Sequence, residues 1–220
     1  MTPPLPGRPP GVGDAAYFTR WYADRPWSHY RPILSHVVRH GRPGPLLDLG
    51  AGTGLLVECA TRFGFTATGL DASPDAVAIG RSRFPAIDLR HHDLDQPLPL
   101  DDDAFIAVVM NQVIEHLPPT VAERALGEAY RVLRPGGLLY VASPCRLNRA
   151  ERDADPTHVH LYRPSELRAL LTRLGFVGVT AMDAPYRGRL MKTLWQVTGG
   201  ADRFCASATC RGYKPEASGG

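Results

Sequence analysis

A single hydrophobic core stops growing only beyond roughly 250 to 300 residues, so a chain of 220 residues points to one domain rather than two. At 44% hydrophobic and 21% charged it is far from the balance of a disordered chain. Its 25 basic and 22 acidic side chains leave a formal charge of +3 with no clustered basic patch, which argues against nucleic acid or an anionic membrane surface as partner.

Residues 1–13 hold five prolines and no apolar core of a secretory leader, and read as a flexible tail. No 18-residue apolar run occurs, and the four cysteines (Cys59, Cys145, Cys205, Cys210) lack C-x-x-C spacing, so a cytoplasmic protein with reduced thiols is expected. The domain is expected over 14–213, opening with two covering helices in 14–40, the second carrying Ile33, Leu34, Val37 and Val38 on one face and stopping at Gly41. PLLDLG (45–50) is a continuous apolar strand of the kind buried between helices. A glycine loop follows, then a helix with Leu55, Cys59 and Phe63 on one face. TATGLD (66–71) is the second strand, and Ser73 and Pro74 open a helix to about Arg83. A third strand is expected near 87–90, and AFIAVVM (104–110) reads as a central fourth. Thr120 and Glu123 form a T-x-x-E capping box for a helix to Arg134, which Pro135, Gly136 and Gly137 end before the strand LLYVAS (138–143). Pro164 and Glu166 open a helix ended by Gly175; strands near 176–181 and 204–212 flank a helix near 190–198. Seven strands alternating with helices make a doubly wound α/β sheet.

The chemistry concentrates in LLDLGAGTG (46–54). A strand that turns sharply into a helix needs glycine, and its backbone N–H groups are then expected to stay open to a ligand. Asp48, Gly50, Ala51, Gly52 and Gly54 line this loop, and Asp71, beside Ala72, lies 21 positions after Gly50, where a βαβ unit places a carboxylate against ribose hydroxyls. A dinucleotide fingerprint, G-x-G-x-x-G, needs glycine at 55, where this chain has Leu55. The Leu55 mismatch and the lack of a Tyr-x-x-x-Lys pair argue against a nicotinamide oxidoreductase.

Together with GLDAS, HHDLDQPLPLDDDAFIAVVMNQVIEHL (91–117) and LRPGGLLYVASP (133–144), the loop strongly resembles the class I S-adenosylmethionine-dependent methyltransferases, in particular the small single-domain "type 11/12" kind, over residues 30–183. The resemblance implies a Rossmann-like sheet in the order 3-2-1-4-5-7-6 with the last strand antiparallel. It implies S-adenosylmethionine as cofactor and S-adenosylhomocysteine as product. By the same resemblance Asp71 binds the ribose, Asp93 and Leu94 hold the adenine edge, and Asn111 and Gln112 lie along the methionine part. For Asp93 the alternative is a loop cap, and for Asn111 a structural amide.

Methyl transfer needs a nucleophile held in line and little obligatory acid or base. If the acceptor is a hydroxyl, His116, His158 and His160 are the candidate bases, with Glu115 and Tyr162 behind them. Loop stabilisation is the alternative for each. Asp155, His158 and His160 would form a D-x-x-H-x-H metal cluster, but no fourth partner is evident and no metal is assigned. Tyr17, Phe18, Trp21, Tyr22, Trp27 and Tyr30 form either a lid or simple packing. The expected protein is a monomeric or homodimeric enzyme with a small-molecule acceptor. A peptide acceptor, or a non-catalytic S-adenosylmethionine binder, is the alternative.

Overall fold

Apolar runs without polar alternation belong in the middle of a sheet covered on both faces, and that is where they lie. A computed structural model describes residues 27–39, 43–148, 155–182, 193, 202 and 207–217. A 3-10 turn at Trp27–His29 precedes α1 (Arg31–Arg39), β1 (Pro45–Leu49), α2 (Leu55–Arg62), β2 (Thr66–Asp71), α3 (Pro74–Arg83), β3 (Asp88–His91) and β4 (Phe105–Asn111). A second 3-10 turn, Ile114–His116, leads to α4 (Pro119–Val132), β5 (Leu133–Pro144), α5 (Pro164–Arg173), β6 (Val177–Ala181) and β7 (Ser207–Tyr213).

The seven strands form one sheet in the order β3-β2-β1-β4-β5-β7-β6, with β7 antiparallel to both β5 and β6 and the remaining pairings parallel. This is the architecture expected of the family. Side chains alternate between two cores, as the strand period of two requires. Leu46, Ala107 and Val109 pack with Ile33, Leu34 and Val37 of α1, Leu56, Val57 and Ala60 of α2, and Val77 of α3. Leu47, Leu49, Val108 and Met110 face the opposite way, toward Ala122, Leu126 and Ala129 of α4 and Leu167, Leu170 and Leu171 of α5.

Three local expectations are corrected. Val38 and Phe63 are exposed, so neither belongs to its helix's buried face; α2 buries Leu56, Val57, Cys59 and Ala60 instead. The Thr120–Glu123 capping box does not form, because Pro118 is the N-cap and Pro119, with its pre-set φ, already occupies the first helical position. The fifth strand starts at Leu133 rather than 138. Arg134–Gly137 is a bulged entry to it, with the register shifting opposite Phe105 and Ala107. Gly136 takes φ +75 there, and its N–H bonds to the Lys214 carbonyl, joining the bulge to the segment beyond β7. Of the N-terminal aromatics, for which lid and packing both stand open, Tyr30 is a core residue, buried among Ile33, Leu34 and Val37, whereas Trp27 is exposed. The tail at 1–13, the first covering helix, the other aromatics of the N-terminal group and Cys205 lie outside the described residues, as does the 190–198 helix apart from Thr193.

Between β3 and β4, Pro97–Asp103 has no ladder of its own, and Arg131 on α4 holds it. Its guanidinium donates to the Leu98 and Leu100 carbonyls at 3.0 and 2.8 Å, to Asp102 at 2.6 Å and to both Glu128 oxygens at 2.9 Å. An ammonium has three donors on one atom and cannot span this fork. Arg131→Lys should therefore lower stability by about 1–2 kcal/mol, read as a shift of the urea midpoint. A midpoint equal to wild type would show that the loop holds itself.

Candidate active site

At the centre of the sheet β1 lies between β2 and β4, the switch point where the crossovers depart to opposite faces and a crevice opens at the carboxyl ends of the strands. There β1 turns into α2 through Gly50–Gly54, with left-handed φ at Gly50, Gly52 and Gly54. A Cβ on Gly50 would lie 2.3 Å from Val113 Cγ2, which makes the absence of a side chain compulsory. The expectation that the loop amides stay open is not met. Gly50 and Ala51 N–H both donate to the Leu70 carbonyl at 2.8 and 3.0 Å, Gly54 N–H to Ala51 O, and Gly52 N–H to Asp71 Oδ2 at 2.7 Å. The other Asp71 oxygen accepts from Ser73 N–H at 2.8 Å. The loop is therefore a braced cradle rather than a fan of free donors.

The remaining expected cofactor residues adjoin it. His92 N–H bonds to Asp71 O and His91 Nε2 lies 3.1 Å from the Ala72 carbonyl, which draws the end of β3 against the end of β2. Asp93 follows; its Oδ1 accepts from Asp95 N–H and its carbonyl from Gln96 N–H, so it closes the turn that sequence alone leaves as the alternative. Leu94 packs its side chain into the α4-side core. On the other flank Asn111 ends β4, Gln112 takes φ +59 with its N–H on Ala142 O, and Val113 touches the glycine loop.

Glu115 and His116, in the next turn, join this edge to the 155–160 loop. Val159 and His160 N–H both donate to the Glu115 carbonyl at 2.8 and 3.0 Å, while His116 Nδ1 lies 3.3 Å from Thr157 O and 3.2 Å from Thr157 Oγ1. The His116 and His158 ring centroids are 5.2 Å apart, and His160 packs edge-on against Tyr162 at 4.5 Å. The spacing-based cluster of Asp155, His158 and His160 is not the one that assembles. Asp155 instead accepts from Thr157 N–H and Oγ1–H, and the carboxylate beside the histidines is Glu115. Tyr162 is buried in the core, and burial first, then Glu123 and Glu166, push its hydroxyl up, which makes it a poor base. Val113 and Thr157 were missed by sequence reasoning. Val113 has no polar signal, and Thr157 has none beyond its place next to His158.

A methyltransferase-domain family model matches residues 47–141, the segment from β1 into β5. The chain is 31% identical over 181 residues to a probable S-adenosylmethionine-dependent methyltransferase of Mycolicibacterium smegmatis, covering 76% of this chain and 69% of that protein. The chain belongs to the S-adenosylmethionine-dependent methyltransferases. It is also 30% identical over 182 residues to a ubiquinone biosynthesis O-methyltransferase of Xanthomonas campestris, across 71% of this chain and 75% of that one. In fold it matches a methyltransferase structure from Archaeoglobus fulgidus with a TM-score of 0.72 at 17% identity, over 91% of this chain and all of the other.

An enzyme of this class uses S-adenosylmethionine. Burial first, and the adjacent Asp71 charge second, push the Asp48 carboxyl up to about 8. At neutral pH the buried Asp48 therefore keeps its proton beside the Asp71 charge. The raised value also fixes a pH dependence. Between Asp48's ordinary 3.8 and about 8, the folded methyltransferase holds a proton that the unfolded chain has lost. Stability contributed by this group is therefore full below pH 4 and declines as pH rises to 8. Asp48→Asn should flatten that decline, adding about 1–3 kcal/mol at pH 8 and nothing at pH 4 in urea denaturation. A variant profile parallel to wild type would contradict it.

Proposed function

We propose that this methyltransferase moves the methyl group of S-adenosylmethionine to an O, N or C atom of a small molecule in the cytoplasm. In this reading Asp71 clasps the ribose hydroxyls, Asp93 and the Leu94 backbone meet the adenine edge, and Asn111 and Gln112 flank the methionine part. Asp48 and the Gly50–Gly54 loop surround its charged end. When bound, the cofactor supplies an electrophilic methyl carbon on a sulfonium. The chain's task is then to seat the acceptor, exclude water and receive its proton where it has one.

The observation that carries this reading is the stapling of the 155–160 loop onto the turn after β4, beside the glycine loop. It brings His116 and His158 together and ties the His160 backbone to the same turn. His116 is the best-placed acceptor of a proton. Thr157 Oγ1 gives its hydrogen to Asp155 at 2.5 Å, so toward His116 Nδ1 both Thr157 oxygens only accept. Nδ1 then carries the ring hydrogen and Nε2 presents a lone pair. A compact cover built from one loop suits a small acceptor, and the likeness to an O-methyltransferase of quinone synthesis supports the same size class.

Incubating the protein with methyl-labelled cofactor and a size-fractionated cell extract should move label into the low-molecular-mass fraction. Label confined to protein or peptide would overturn the acceptor class, and cofactor binding without any transfer would favour a non-catalytic binder. His158→Ala and His160→Ala should lower turnover about 10²–10⁴-fold with cofactor affinity retained. Equal losses in both quantities would assign these histidines to folding.

A further inference from the structure

The histidine loop and the turn after β4 gather three side chains that acid–base chemistry alone does not require. The imidazoles of His116 and His158 and the carboxylate of Glu115 each direct one nitrogen or oxygen toward the others, and these atoms all lie within 4.8 Å of one another. His116 Nε2 stands 4.0 Å from Glu115 Oε1. Glu115 and His116 are 0% and 7% exposed, so the set is inside the protein and not a solvated charge cluster. We propose that Glu115, His116 and His158 form a binding site for one divalent transition-metal ion. The site rests on the methyltransferase reading above and deepens it, because the ion would hold an oxygen of the acceptor.

Donor chemistry, orientation and coordination number each support this. Two imidazoles with one carboxylate suit zinc, iron, cobalt or nickel better than magnesium or calcium, which favour oxygen-only shells. A metal-binding histidine needs its distal nitrogen anchored, so that the ring is oriented and the ligating nitrogen stays bare. His116 has that anchor: Nδ1 sits against both oxygens of Thr157, and Asp155 claims the Thr157 hydroxyl hydrogen and its backbone N–H. A chain running carboxylate, hydroxyl, imidazole thus ends in a lone pair at Nε2, aimed into the set. The backbone is equally fixed, since Val159 and His160 N–H both bind the Glu115 carbonyl and hold the loop carrying His158 against the turn carrying Glu115.

Tetrahedral ligation places donor atoms roughly 3 to 3.5 Å apart, so the set must draw in by about an ångström, within reach of side-chain rotation at half-buried His158. Three protein ligands leave at least one position open, the arrangement of a catalytic rather than a structural ion. Val113, two residues before Glu115, packs against Gly50, so the turn that carries Glu115 and His116 adjoins the glycine loop. An acceptor bearing a hydroxyl or a pair of oxygens is the class such a position takes. His160 stands outside the set, so with the ion bound it takes over the acceptor's proton, which His116 Nε2 can receive only while it is not ligating.

The test is cobalt titration of the chelator-stripped full chain, following visible d–d absorption, with calorimetric binding of S-adenosylhomocysteine measured on each sample. One Co²⁺ per chain is expected, displaced by Zn²⁺ and untouched by equimolar Mg²⁺. Glu115→Gln and His158→Ala should weaken cobalt binding at least tenfold while S-adenosylhomocysteine still binds, and His160→Ala should bind cobalt as wild type does. Wild-type protein that binds S-adenosylhomocysteine but takes up no more cobalt than the His116→Ala/His158→Ala double variant would overturn the metal site and leave the methyltransferase reading intact. Cobalt uptake without nucleoside binding would do the reverse.

Discussion

Replacing Gly50 by alanine should weaken S-adenosylhomocysteine binding by about 30- to 1,000-fold, the equivalent of about 2–4 kcal/mol. Two contributions combine. A φ of +75 costs alanine about 1 kcal/mol or more, and a Cβ would lie 2.3 and 2.7 Å from the two γ-carbons of Val113. Overpacking of that kind adds about 1–3 kcal/mol. The backbone cannot yield cheaply, since Gly50 and Ala51 both hang from the Leu70 carbonyl. Val113→Ala in the Gly50→Ala background removes the clash and not the φ strain, so the double variant should recover part of the affinity. Calorimetry on both proteins decides the point. Single-variant affinity within twofold of wild type would mean that the loop is not the cofactor cradle.

That contact also marks where sequence reading stops. The sheet was legible because strands of a two-sided parallel sheet carry an unbroken apolar signal, and PLLDL and FIAVVMN could be little else. Strand order came with the family resemblance. The Asp71 position was legible for a geometric reason: one βαβ unit has nearly constant length, so a carboxylate at its far end falls near the first glycine. What failed was local and competitive. Thr120 and Glu123 spell a capping box, yet Pro118 and Pro119 start the helix earlier, and Arg134–Gly137 reads as a helix stop although sheet pairing with β4 recruits it into β5. The D-x-x-H-x-H spacing, set aside for want of a fourth ligand, does not describe how the histidines group either. Spacing grouped Asp155 with His158 and His160, but Asp155 lies close enough to Thr157 to be consumed by it, and Glu115 enters from a turn 40 residues upstream of Asp155.

Asp71→Ala should cost S-adenosylmethionine affinity about 1–3 kcal/mol, roughly 5- to 150-fold, and the interest lies in dividing that loss between two duties. The carboxylate braces the cradle by accepting from Gly52 and Ser73 N–H, each at under 3 Å, and in the proposed complex it also meets the ribose. Asp71→Asn keeps the shape, but an amide has only one acceptor atom for two N–H groups, so asparagine should bind the cofactor little better than alanine. Removing the charge also takes away one of the two influences that raise Asp48, so the decline in stability caused by this group should end at a lower pH. Adenosine and 2′,3′-dideoxyadenosine separate the duties. If the ribose is clasped, wild type should prefer adenosine by at least tenfold, and Asp71→Ala should bind the two alike at the weaker level. If Asp71 only braces the loop, the variant weakens both nucleosides by one factor and the preference survives unchanged, and the ribose assignment then fails.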